Sequence, residues 1–188
     1  MTRVDPEFDG AQVMNYKLGG SFNGIVNLIL REEKGYTYGA RTSIDGTNYP
    51  GTFTASSAVQ SNATYESVKI FKDEISKYRE GISDEDLAFT KDALIKSNAR
   101  RFETLGALLG MLNDIAEYDL PFDYVKSEEE VVKNMTQDKI KALAQKYLEQ
   151  DKMIYVVVGD AATQLEQLKS LGLGDPILLD ADGNQVSM

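Results

Sequence analysis

The spacing of apolar residues predicts that most of this chain is helical. Between Asp5 and Leu18 apolar side chains recur every three or four residues, as on one face of a helix, and Asp5-Pro6 is a typical helix opening. The same spacing returns after Asn62 and predicts further helices as far as Leu171. The clearest apolar stripe, which we expect to pack in the core, consists of Leu105, Leu108, Leu109, Leu112, Ile115 and Ala116.

Two neighbouring stretches have the composition of β-strands. Residues 36–44 and 52–59 are rich in threonine, tyrosine and small side chains, and turn-forming Asp45-Gly46 and Pro50-Gly51 lie between them. We therefore predict a β-hairpin. Hydroxyl groups at alternate positions suit either a face that borders a water-filled cleft or a solvated outer face, and the pattern leaves both open.

Two more strands are predicted towards the end of the chain. Met153–Val158 is continuously apolar and rich in β-branched residues, which is typical of a strand buried at the centre of a sheet. Residues 177–186 are expected to hold a strand and a turn at Asp182-Gly183. The order of elements predicts one domain over residues 1–188, of the α+β class, with helices packed on one side of a sheet.

Charge and composition exclude several functions. Thirty acidic and twenty basic residues give a formal charge of −10, which disfavours binding to nucleic acid. The longest apolar run is strand-sized, so no membrane insertion is expected. The chain has no cysteine and no histidine, which removes thiolate nucleophiles, the commonest metal ligand and the usual general base. We therefore expect no metal site in this chain.

The most informative stretch runs from Leu18 to Ala40. A short helix is predicted between the glycine stops at Gly19-Gly20 and Gly35, with Arg31 in its last turn and Tyr38 on the strand that follows. On spacing alone, the simpler interpretation is favoured, in which Arg31 is a surface charge matched to the helix dipole and the tyrosine is a core residue.

Four motifs change that interpretation. They are N-Y-K-L-G-G-S-F at 15–22, L-R-E-E-K-G-Y-T-Y-G at 30–39, I-S-D-E-D-L at 82–87 and R-F-E-T at 101–104. In this order and at these separations they resemble the insulinase/pitrilysin-type zinc peptidases, which include mitochondrial processing peptidase. The likeness extends from about residue 5 to residue 158. It is to the inactive, C-terminal-type domain that lacks the metal site, and it implies an antiparallel-rich sheet.

The resemblance implies a specific role for the turn between Arg31 and Tyr38, which we call the corner. In this family one domain carries H-x-x-E-H around zinc, and a facing homologous domain contributes an arginine and a tyrosine, here Arg31 and Tyr38. The two domains enclose a chamber, and the resemblance implies that Gly19 and Gly20 border this chamber and that Tyr36 lies near bound peptide. The expected partners are an H-x-x-E-H domain and a peptide substrate, with zinc in the partner. The predicted function is thus the non-catalytic, substrate-binding half of a zinc metallopeptidase.

The sequence leaves two alternatives open. One is a structural subunit of the same fold without a peptidase role, and the other is an unrelated ligand-binding α+β domain that no residue specifically supports. The sequence also departs from the family pattern. Only four residues precede Asp5, whereas the family has a strand there. We expect that the chain was cut from a longer polypeptide and that its sheet is therefore one strand short. Asn23-Gly24-Ile25 replaces the family's S-R-L. The resemblance fits the bacterial cytoplasm or periplasm equally.

Overall fold

The computed structural model of the protein describes residues 1–186, apart from the side chain of Ala99. The two β-strands are β1 (Thr37–Ile44) and β2 (Phe53–Val59). The α-helices are α1 (Phe8–Asn15), α2 (Ile25–Asn27), α3 (Thr64–Tyr78), α4 (Asp84–Asn98), α5 (Leu105–Tyr118), α6 (Tyr124–Lys133), α7 (Gln137–Tyr147) and α8 (Ala161–Lys169). Two π-helical segments, Tyr16–Gly20 and Leu28–Glu33, continue α1 and α2.

The predicted hairpin and the α+β class are confirmed. β1 and β2 pair antiparallel, with Ile44 opposite Phe53 at the turn end and Thr37 opposite Val59 at the other end. The register shifts between Thr37 and Ala40, which marks a β-bulge. Within residues 1–186 this hairpin is the whole sheet; β1 packs on α1, α2 and the two π-helical segments, and β2 packs on α3.

The core is built around α1, as its apolar spacing predicts. This helix packs on α6, α7 and β1. The expected inward residues are buried, and Met14 and Leu18 are fully so. The Tyr78 hydroxyl donates a 2.6 Å hydrogen bond to the Met14 carbonyl oxygen, and burial raises the pKa of this phenol. α3 is thereby fixed to the end of α1.

The prediction that the α5 leucine stripe packs in the core is wrong. No side chain within Leu105–Tyr118 is buried, and Leu105 is 86% exposed, while Leu109 and Leu112 are each 58% exposed. Periodicity identified the helix correctly, and the Thr104 hydroxyl caps it by accepting from the Ala107 N–H. Periodicity reports that one face is apolar but carries no information about what covers that face.

The prediction of a buried central strand at Met153–Val158 is also wrong. The segment belongs to no ladder in the described residues, and Ile154, Val156 and Val158 are 80% to 96% exposed. Its composition favours an extended backbone, yet a buried strand needs hydrogen-bonded neighbours on both sides. The two-stranded sheet does not supply them.

The predicted turn near the end of the chain is present. Leu179 and Gln185 form an isolated antiparallel bridge, and Gly183 has φ 83° in the turn between them. The Asp180 carboxylate accepts hydrogen bonds from the backbone N–H groups of Asp182 and Asn184, and these bonds lower its pKa. None of the helices in residues 1–186 combines the length and apolar character needed to cross a membrane.

Candidate functional site

The candidate site lies where two π-helical segments meet the hairpin. Tyr16–Gly20 precedes the corner, and Leu28–Glu33 carries Arg31 in its last turn. Gly35, with φ 65°, ends the second segment and allows the chain to turn into β1. π-Helical turns are rare and occur frequently at functional sites. The two segments therefore direct attention to this corner.

Glycine at position 19 is required by close packing. A Cβ atom there would lie 2.7 Å from both the Thr42 hydroxyl oxygen and a Val26 methyl carbon. A Cβ atom on Gly24 would lie 2.7 Å from the Gly19 Cα. Gly19 itself is buried, whereas Gly20 is exposed. The backbone of α1, β1 and α2 thus converges at Gly19, and the chamber-lining role implied for both glycines stays a prediction.

Two buried asparagines connect the helices to β1. Asn15 donates a 3.0 Å hydrogen bond to the Thr42 carbonyl and accepts a 2.6 Å bond from the Thr42 hydroxyl. Asn27 accepts a 2.9 Å bond from the Ala40 N–H and donates a 2.7 Å bond to the Phe22 carbonyl. Asn27 therefore fixes the Arg31 segment relative to β1, immediately beside the bulge.

The bulge places Tyr38 in solvent. Strand alternation would put Tyr38 on the same face as buried Ala40, but the extra residue turns its side chain outwards, and it is 99% exposed. The Thr37 hydroxyl donates to the Ala58 carbonyl at 2.6 Å and accepts from the Gly39 N–H at 3.0 Å. The Ser57 hydroxyl lies within 3.0 Å of the Gly39 carbonyl. These hydroxyl groups hold the bulge in place.

Arg31 rests on an aromatic ring. Its guanidinium carbon lies 4.6 Å from the centre of the Phe22 ring, and its Nε is 3.5 Å from a Glu32 carboxylate oxygen. Helical spacing would place Phe22 on one apolar face with Ile25, Val26 and Ile29, but it is 63% exposed. It stabilises the cation through its ring face instead of filling the core.

Of the five predicted site residues, Gly19 and Gly20 end the first π-helical segment, Arg31 lies in the second, and Tyr36 and Tyr38 lie just before and within β1. Tyr36 is partly buried, and its N–H donates to the Leu30 carbonyl while its own carbonyl accepts from Gln60. Arg31 and Tyr38 flank it on the π-helical turn and on the bulge, and no hydrogen bond joins their side chains in the described residues. Their role in binding substrate remains a prediction.

A groove of about 500 Å³ opens beside Gly20. Asn15 and Thr42 line one side of it, and Arg101 and Glu128 line the other. Burial raises the pKa of the Asp9 carboxyl in this groove, and the nearby Glu128 carboxylate raises it further. A larger groove, of about 860 Å³, lies between α1, α6 and α7 and has none of the five predicted residues in its lining.

Within residues 1–186 no three histidine, cysteine, aspartate or glutamate side chains lie close enough together to hold a metal. Asp9 and Glu128 instead form ion pairs with Arg3. Its guanidinium nitrogens lie 3.1 Å from an Asp9 carboxylate oxygen and 2.7 Å from a Glu128 carboxylate oxygen.

Asn27 is the positioning residue that sequence reasoning missed. We expect Asn27→Ala to lower the free energy of unfolding by about 1–3 kcal/mol, because it leaves the buried Ala40 N–H and the Phe22 carbonyl without partners. Urea unfolding measures the change. Asn23→Ala, at an exposed position four residues earlier, is the matched control and should change stability by less than about 0.5 kcal/mol. Equal effects of the two substitutions would contradict the assigned role.

The signals for the other missed residues were weak. Thr37 and Ser57 are ordinary strand residues by composition, and only the register shift shows that their hydroxyl groups hold a bulge. Phe22 lies two residues after the double glycine, and closeness to a glycine stop is a hint of exposure that conflicts with the apolar spacing.

Comparison with known proteins places this fold. Residues 2–94, about half of the chain, match the family model described as the Peptidase M16 inactive domain. No protein with a curated description matches significantly. The structure of a peptidase M16 inactive domain from Pseudomonas fluorescens is similar, with a TM-score of 0.71 and 23% identity, over 78% of this chain and 35% of that chain.

Two further solved structures share the fold. A protease from Helicobacter pylori has a TM-score of 0.63 and 12% identity, over 79% of this chain and 36% of that one. The periplasmic protease PqqL from Escherichia coli has a TM-score of 0.60 and 18% identity, over 78% and 16%. The chain thus spans about a third or less of the length of these three proteins. The family model and the comparison with solved structures agree, and the chain belongs to the Peptidase M16 inactive domain family, as the four motifs predicted.

Proposed function

We propose that this chain is the non-catalytic, substrate-binding half of a zinc metallopeptidase. Arg31 and Tyr38 act as hydrogen-bond donors to a peptide carbonyl, and a partner domain that carries H-x-x-E-H holds the zinc and performs the hydrolysis. The observation that carries this proposal is the position of Tyr38, which is almost fully exposed at a bulge in the strand that packs against the π-helical segment bearing Arg31.

The chemistry explains why these side chains would be used. When water attacks a peptide carbonyl, negative charge develops on the carbonyl oxygen, and donors fixed in advance stabilise that charge without reorganising. A guanidinium and a phenol both donate. Asn27, Thr37 and Ser57 hold the backbone on which the two donors are carried. The backbone positions from which the two donors extend are thus fixed by hydrogen bonds.

A structural subunit of the same fold is the second candidate. The exposed leucines of α5 favour it, because an apolar helix face in water is typical of a surface that a tightly bound partner covers. This candidate predicts stable assembly without any peptidase activity in the complex. Partner binding alone therefore does not separate the two functions, and the test must measure hydrolysis.

Reconstitution tests the proposal. A zinc-loaded domain of the same family that carries H-x-x-E-H is mixed with this chain and with a library of fluorogenic peptides. We expect hydrolysis by the mixture and little or none by either component alone. A complex that forms and does not cleave any peptide of the library would favour the structural subunit and overturn the substrate-binding role.

A further inference from the structure

Helix α5 makes its most extensive contacts with the 3₁₀ turn directly before it, Ala99–Phe102, and not with the sheet or another α-helix. None of the side chains in its 14 residues is buried. A helix of this length is marginal in water, and most helices in proteins are stabilised by the packing of their apolar face. α5 thus leaves on its surface the side chains that would normally stabilise it.

The exposed apolar side chains of α5 form one continuous stripe. Residues spaced i, i+3, i+4 and i+7 lie on one face of a helix. This is the spacing of the four leucines, whose exposed fractions range from 39% to 86%: Leu105, Leu108, Leu109 and Leu112. A Cβ atom added to Gly110, which lies next to Leu109, would meet nothing within 4 Å. The stripe is therefore accessible to another helix along about two turns.

The charges on α5 and its flanking residues are all acidic. The sequence from residue 102 to residue 125 contains no lysine or arginine. It contains five carboxylates, which form no ion pair within residues 1–186: Glu103, Asp114, Glu117, Asp119 and Asp123. The apolar stripe is thus combined with negative charge that no cation of the described chain neutralises.

The C-terminal end of α5 is where this charge is concentrated. A lysine lies in the last turn of α3, α4, α6, α7 and α8, but α5 has no basic residue there. Glu117 lies in the last turn of α5, and Asp119 is its C-cap. Both carboxylates therefore meet the negative end of the helix dipole, where a cation would be stabilising.

Charge distinguishes between the surfaces that could cover the stripe. Helices that lie on anionic lipid carry lysine or arginine beside their apolar face, and α5 has neither residue. A second copy of this chain would bring two acidic faces together, and each molecule has a formal charge of −10. A protein helix with lysine or arginine beside its apolar residues complements both the leucines and the carboxylates.

We infer that α5 is the docking surface for a basic amphipathic helix of a partner protein. The apolar residues of the partner helix pack on the four leucines, at the same i, i+3, i+4 and i+7 spacing. Its lysine or arginine side chains lie near Glu117 and Asp119, where they also complement the helix dipole. The inference is independent of the role proposed for Arg31 and Tyr38, since it needs no hydrolysis, and either can fail alone.

The test titrates the whole chain with a synthetic helical peptide of about 18 residues, with leucine on one face and lysine on both flanks. A twin peptide has glutamate in place of every lysine. We expect the lysine peptide to bind by isothermal titration, with an affinity that falls as salt is added, and the glutamate peptide not to bind. Amide hydrogen exchange along α5 should slow only in the complex with the lysine peptide.

Leu112→Asn tests the apolar stripe. The side chain is 58% exposed, so the fold should be retained, and affinity for the lysine peptide should fall about tenfold because apolar contact is lost. Leu179→Asn is the matched control, since Leu179 is 54% exposed and lies outside α5. Its affinity for the lysine peptide should equal that of the original chain.

Glu117→Lys tests the charge on α5. A lysine in the last turn complements the helix dipole, so stability should not fall, while affinity for the lysine peptide should drop about tenfold. Asp175→Lys, at an exposed loop position, changes the net charge equally and should have little effect.

The inference is overturned if the lysine peptide does not bind, if its glutamate twin binds equally well, or if Leu112→Asn or Glu117→Lys leaves binding unchanged. Two further results would assign the stripe to another occupant and would also overturn it. One is dimerisation of the chain that Leu112→Asn abolishes, and the other is binding to phosphatidylserine vesicles that the same substitution abolishes.

Discussion

Replacing Tyr38 with phenylalanine is expected to lower kcat for peptide hydrolysis by the reconstituted complex about 100- to 1000-fold, which is the usual cost of one lost oxyanion donor. The substitution removes only the hydroxyl group, and Tyr38 is so exposed that the fold should not change. Since the donor acts on charge that develops in the transition state, kcat and kcat/KM should fall together while KM stays nearly constant.

Tyr49→Phe is the matched control for that experiment. Tyr49 lies in the loop at the opposite end of the same hairpin, is also exposed, and loses the same hydroxyl group. Its kcat should be unchanged. Arg31→Ala should reduce kcat to a similar extent as Tyr38→Phe, with exposed Arg41→Ala as its control. A normal kcat in both Tyr38→Phe and Arg31→Ala would show that neither group is a donor.

Gly19→Ala is expected to lower the free energy of unfolding by about 3 kcal/mol. The added methyl group meets the Thr42 backbone nitrogen at 2.8 Å as well as two side-chain atoms at 2.7 Å, and backbone atoms cannot move aside cheaply. Urea unfolding with an unchanged m-value should show the loss as a lower midpoint.

Gly110→Ala serves as the control for Gly19→Ala. It adds the same methyl group on α5, where nothing lies within 4 Å, and alanine favours a helix over glycine by about 1 kcal/mol. Stability should therefore stay the same or rise. A Gly19→Ala variant as stable as the original chain would mean that α1, β1 and α2 do not converge as described.

Local features of the sequence predicted much of the fold. The helical spacing to Leu18 and the turn residues between the two strands act on neighbouring residues, and the structure has α1 and the hairpin there. α1 begins at Phe8, three residues after the predicted opening at Asp5. Gly35 was predicted to stop a helix, and its positive φ is the physical basis for that.

The features that sequence reasoning missed depend on contacts across the chain. Met153–Val158 would be buried only between two neighbouring strands, and the α5 leucines would be buried only against another surface. Local spacing does not show whether such neighbours exist. The bulge at Tyr38 is likewise invisible, because it arises from Thr37 and Ser57 on two different strands. Family resemblance pointed to Arg31 and Tyr38, but it did not reveal the asparagine and hydroxyl groups that position them.

The leucines that α5 keeps in water govern how the protein behaves in concentrated solution. At pH 7 the formal charge of −10 keeps molecules apart, so their apolar faces rarely meet. As the solution is acidified towards the isoelectric point near 4.6, that repulsion disappears while the leucines remain. High salt screens the same repulsion at neutral pH. The protein should therefore precipitate on mild acidification, and it is best stored in dilute buffer near neutrality.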